Sequence, residues 1–87
     1  MENWYKLQII LAHQGAGSRE EAIAYVYARD IIGAIKRHKS MGGVKRSILP
    51  SILTLSATET EELEGRIIEE GVMSLDEAKK RGYIVNK

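Results

Sequence analysis

Lys36, Arg37, Lys39, Lys45 and Arg46 crowd five cations into eleven residues that contain no acid, with a Gly42-Gly43 step between the third and the fourth. Contact with phosphate requires positive charge and only modest geometry, because neutralising the backbone and releasing its counterions drives binding. Backbone amides around a glycine turn can also face an anion. The run therefore suggests an anion-binding or nucleic-acid-binding patch made of these five residues. A plainer reading stands beside it: Lys36, Arg37 and Lys39 fall in the last turns of an expected helix, where a cation gains about 0.3–1 kcal/mol from the helix dipole. Lys45 and Arg46 then serve only as solubilising charge. Tyr25 and Tyr27 extend the first reading if they lie on an open sheet face, where aromatic rings stack bases. On a closed face they are core or cover.

Residues for catalysis are sparse. His13 and His38 fall in different elements without metal-ligand spacing, and His38 belongs to an apolar helical stripe, which suits a satisfied structural histidine. The glutamates between Glu59 and Glu70 would make a paired-carboxylate site only if two of them converged in a cleft; a solvated helix face explains them more simply. Neither Gly15-Ala-Gly17 nor Gly42-Gly43 belongs to a dinucleotide or phosphate-loop fingerprint. There is no cysteine, which removes disulfides, thiolate zinc sites and cysteine nucleophiles together. The residues point to a non-enzymatic binding protein, with no catalytic residue, cofactor or metal site expected.

Composition agrees with that class. Eighty-seven residues, 44% hydrophobic and 29% charged, suit one small domain whose larger apolar residues are needed in the core. The absence of staples in so small a chain favours a cytoplasmic home. Leu7-Gln-Ile-Ile-Leu-Ala12 is too short for a signal peptide core or a bilayer span, so no membrane partner is expected. The formal charge is +1, but it is unevenly spread. Residues 56–78 carry eight acids against Arg66 alone, opposing the basic middle.

The elements follow from periodicity and caps. Trp4 to His13 alternates as a strand, with Tyr5, Leu7, Ile9 and Leu11 on one face. Ile10 and Ala12 interrupt the other face and imply partial cover there. Gln14 to Ser18 is a turn-rich connection. From Arg19 to Ala28 two signals compete. Ser18 and Glu21 have the form of a helix capping box, whereas Ile23, Tyr25 and Tyr27 alternate with Ala22, Ala24, Val26 and Ala28 as in a strand. The reading adopted is a hairpin whose second strand covers Glu21 to Ala28; its rival is one helix from Arg19 to Met41.

Asp30 is a good N-cap for a helix with Ile31, Ala34, Ile35, His38 and Met41 on one stripe, ended by Gly42 and Gly43. Val44 to Leu55 reads as a strand that, because of Pro50, lies at a sheet edge or carries a bulge there. Thr58 with Glu61, or equally Ser56 with Glu59, caps the next helix. Glu62 and Arg66 are spaced as an ion pair on it. Gly71 stops it, with Val72 placed to touch Ile67. Ser74 and Glu77 open a short helix from Leu75 to Arg81, which Gly82 terminates, and Tyr83 to Val85 adds a short strand or a packed tail. The expected class is α+β: a small, mostly antiparallel sheet of a two-strand hairpin plus a third strand, packed by one main helix and followed by two C-terminal helices.

Between Tyr25 and Leu55, the order of strand, helix and Gly-containing turn leading to Val44-Lys45-Arg46 resembles the archaeal ribosomal protein LX family. The resemblance implies RNA-backbone contact by Lys45 and Arg46; the acidic helices after residue 56 depart from the family. RNA or DNA is thus one expected partner. The alternative is a protein-interaction module that meets another protein or a second copy of itself through its acidic helices or a free sheet edge.

Overall fold

The computed structural model describes residues 2–11, 20–41 and 49–86. In chain order the elements are β1 (Asn3–Ile10), β2 (Glu21–Ala28), α1 (Ile31–Ser40), β3 (Ser51–Leu53), α2 (Ala57–Glu70), α3 (Leu75–Arg81) and β4 (Tyr83–Asn86). The four strands form one sheet in the order β3-β1-β2-β4, with every neighbouring pair antiparallel. The fold is α+β, as expected, with Tyr83–Asn86 supplying a fourth strand.

The competition over residues 21–28 is decided by burial. Ala22, Ala24, Val26 and Ala28 are buried on one face of β2, and Ile23, Tyr25 and Tyr27 are half-buried on the other. Only a two-residue repeat can put the alanines under one layer and the aromatics under another. The hairpin register pairs Trp4 with Tyr27, Leu7 with Ala24 and Ile9 with Ala22, which extends both faces across β1.

Each face has its own core. Leu7, Ile9, Ala22, Ala24, Val26 and Ala28 pack with Ala34 and Met41 around α1, and the small alanines let that helix sit close to the sheet. On the opposite face Trp4, Leu63, Ile67, Ala78 and Tyr83 form a second core under α2 and α3. Fully burying a side chain the size of Leu7, Ile9 or Ile67 contributes about 1.5–3 kcal/mol. Both faces are therefore covered by helices, the second only in part as expected, with Lys6, Gln8, Ile10, Ile23, Tyr25 and Tyr27 half-buried.

Caps set the helix limits. Asp30 accepts from the Gly33 amide at 2.7 Å, and α1 ends at Ser40 with the Met41 amide bonded to His38 O; Gly42 and Gly43 lie outside the described residues. Of the expected α1 stripe, Ala34, His38 and Met41 are buried, but Ile31 in the first turn remains 48% exposed. For α2 the Ser56–Glu59 box is the one used, closed in both directions. Gly71 takes the left-handed conformation at φ 66° and bonds Ile67 O, yet Val72 stays 77% exposed instead of folding onto Ile67.

Among the described residues the ion pairs are Lys6 with Glu59 at 3.5 Å and Lys79 with Glu64 at 3.9 Å; Glu62 and Arg66 do not close to that range. Val44 to Ile48 of the expected third strand lie outside the described residues; of the rest, Ser51–Leu53 pair with β1 on its outer side, while Thr54 and Leu55 do not join the ladder. The paired stretch begins directly after Pro50, which has no amide to give to a ladder.

Candidate nucleic-acid interface

Of the five cations singled out in the sequence, Lys36, Arg37 and Lys39 lie on the C-terminal half of α1, while Lys45 and Arg46 lie outside the described residues. Lys36 and Lys39 are exposed and three residues apart, so they share the solvent side of the helix. Arg37 points elsewhere. Its guanidinium donates to Lys79 O at 2.8 Å and to Lys80 O at 2.7 Å. The last carbonyls of a helix have no partner within it, so Arg37 acts as a C-terminal cap for α3 supplied from α1. The residue read as a phosphate contact is a fastener.

That fastening brings a second group of cations to the first. The last turn of α3 holds Lys79, Lys80 and Arg81, of which Lys80 and Arg81 are exposed. The run is plain in the sequence, but it directly follows the acidic span 56–78 and is masked by a charge sum over that span. What no spacing reveals is that Arg37, forty-two residues earlier, ties α3 to α1. Beside the junction is an open cavity of about 340 Å³ lined by Glu2, Tyr27, Arg37, Asp76, Lys79 and Lys80.

Tyr25 and Tyr27 are half-buried against the second core, under α2 and α3. The Tyr27 ring meets Trp4 edge-on with centroids 5.3 Å apart and carries the Lys79 ammonium 4.8 Å from its centroid. Trp4 in turn donates through Nε1 to Glu64 Oε2 at 3.0 Å. The face that base stacking requires to be open is roofed by helices, which places these tyrosines in the core-or-cover role.

The histidines divide. His13 lies outside the described residues. His38 is 1% exposed, and neither ring nitrogen has a hydrogen-bond partner among the described residues, so it is structural but not satisfied as expected. Burial, and then the neighbouring Lys39 charge, lowers its pKa. Glu59 is also lowered, first by the Ser56 amide and further by the Ser56 hydroxyl and Lys6. Tyr83, donating to Glu70, is pushed up to about 12 by burial and then by that carboxylate.

A larger cleft of about 550 Å³ opens where β3 leaves β1, lined by Trp4, Tyr5, Ile31, Leu55, Thr60 and Glu64 among others. Its Lys6 is engaged by Glu59 and its Glu64 by Trp4. Among the described residues no group of three or more histidine, aspartate or glutamate side chains is arranged to hold a metal, and no helix is long and apolar enough to cross a membrane. Comparison with protein-family models, with curated proteins and with solved structures returned no match.

Proposed function

We propose that the protein is a small non-enzymatic cytoplasmic domain that binds the phosphate backbone of nucleic acid through the basic surface shared by α1 and α3. One observation carries this reading: Arg37 is bonded to the carbonyls of Lys79 and Lys80, so cations from two distant parts of the chain are held as one group. Lys36, Lys39, Lys80 and Arg81 are the phosphate-contacting side chains, and Arg37 positions them. Pre-organisation matters because each cation that is already in place costs less ordering entropy on binding. Nothing in this arrangement reads base edges, so recognition is of charge and backbone spacing. The likeness of the β2–α1 order to ribosomal protein LX favours RNA as the polyanion, with Lys45 and Arg46 as further contacts.

A salt series tests the reading. If the four exposed cations each meet one phosphate, log K against log [salt] falls with a slope of roughly −3 on single strands and nearer −4 on duplex DNA. Replacing Lys80 and Arg81 together with alanine reduces that slope by about 1.4–2 and weakens binding to all sequences alike. An absence of binding at low salt, or a double variant with an unchanged slope, would refute the assignment.

A further inference from the structure

The buried side of α2 is given by Leu63 and Ile67. At 100° per residue, Gly65 falls at the middle of the opposite, outward side, flanked by Glu61, Glu62, Ile68 and Glu69. All five are exposed, and Ile68 is 65% exposed. Glycine in mid-helix destabilises the helix relative to alanine, and no close neighbour among the described residues requires it here: a Cβ at Gly65 would meet none of their atoms within 4 Å. The middle of the outer face of α2 is thus bare backbone at Gly65, beside the exposed Ile68 and three carboxylates.

The outer face of α1 has the complementary form. Ala34, His38 and Met41 face the sheet, which turns Ile32, Lys36 and Lys39 to solvent. Ile32 is 66% exposed, and the two lysines follow it at i+4 and i+7 on the same side. It is a raised isoleucine beside two cations, where α2 offers a bare glycine beside an isoleucine and three carboxylates.

We infer that the outer face of α2 is a docking site for a second copy of this chain, which sets Ile32 of its α1 against the bare backbone at Gly65 and the exposed Ile68, and its Lys36 and Lys39 against Glu61, Glu62 and Glu69. Within one molecule the two surfaces cannot meet, because α1 packs on one face of the sheet and α2 on the other. The contact is therefore heterologous, and each copy keeps one free surface of each kind. Association of this type continues head to tail and does not stop at a dimer. A contact through two helix faces falls at the small end of interfaces, below about 1,200 Å² in total, so it is weak, reversible and dependent on salt.

Sedimentation velocity on the full chain over a concentration series, at ionic strengths of about 0.01 M and about 1 M, reads this directly. At the low value the weight-average mass rises with concentration past the dimer; at the high value the association constant falls by at least about tenfold. Gly65→Gln is the decisive variant, because it puts a long side chain over the bare backbone there while improving helix propensity. It sediments as a monomer throughout and melts higher than the parent. Glu61→Lys with Glu69→Lys also abolishes association, and adding Lys36→Glu with Lys39→Glu in the same chain restores it. A parent chain that stays monomeric at low salt, one that stops at a dimer, or a Gly65→Gln variant that associates like the parent would each overturn the inference. Lys36 and Lys39 serve both this contact and the proposed phosphate contact, so Gly65→Gln, which leaves them uncovered, binds an oligonucleotide at low salt at least as tightly as the parent; weaker binding would overturn the inference.

Discussion

On the inner side of α1, the His38 imidazole is taken out of water, and neither ring nitrogen has a hydrogen-bond partner among the described residues. Protonating His38 in the folded state would add a charge to that site, so burial and Lys39 hold its pKa below the usual value. The unfolded chain takes up the proton near pH 6.5 while the folded chain does not, so stability is full above about pH 6.5 and is lost as pH falls below it. Chemical denaturation as a function of pH measures this. His38→Leu flattens the profile between about pH 7 and 5; an unchanged slope would remove His38 from the acid limb. Tyr83 governs the alkaline side in the opposite sense. Its folded pKa is raised to about 12, so its contribution is complete below about pH 10 and declines as pH rises toward 12. Tyr83→Phe abolishes that decline and leaves Glu70 without its donor, costing about 1 kcal/mol at neutral pH. Gly82 shows a residue whose identity follows from its surroundings. It combines φ +84° with a Cβ position 2.9 Å from Met41 Cε and 3.3 Å from Tyr25 O, so Gly82→Ala destabilises by about 1–3 kcal/mol through strain and overpacking. Urea titration checks that value. The sequence marked Gly82 as a helix stop, but its second role, admitting the end of α1 against β2, depends on contacts made across the fold.

Local chemistry determines most of the elements, and where it is ambiguous the tertiary layer decides. Two overlapping capping boxes begin α2 in the sequence, and Ser56 is the residue whose hydroxyl and backbone amide are both engaged with Glu59. Ser56→Ala should therefore cost about 0.5–2 kcal/mol in thermal or urea unfolding, and Thr58→Ala much less. Equal losses would mean that the helix start is shared between the two boxes. The alternation that identified β2 was legible because its buried face is all small residues and its other face is aromatic. The extent of β3 was not. Apolar composition from Val44 to Leu55 suits a long strand, but among the described residues pairing starts at Ser51, directly after Pro50, and stops at Leu53. β4 is only four residues long and forms against β2, so its status as strand and not tail depends on a neighbour distant in the chain. The Arg37 cap on α3 is of the same kind, since helix periodicity places the residue without naming its acceptor.

At the scale of the whole molecule, charge is sorted by element and not by half of the chain. α2 carries Glu61, Glu62 and Glu69 on its outer side, α1 and the end of α3 carry cations, and Arg37 ties those two helices together. Sequence reasoning found the α1 cations and missed those of α3, because charge summed along the chain hides groups that folding brings together. The claim most open to direct test is that these two helix ends act jointly toward a polyanion. Titration of the isotope-labelled chain with a short RNA oligonucleotide at low salt, followed by amide chemical shifts, locates the contact residue by residue. The account predicts that shifts at Lys36 to Lys39 and at Lys79 to Arg81 saturate together with one binding constant and disappear at high salt. Shifts confined to one of the two helices, centred on α2, or absent throughout would contradict it.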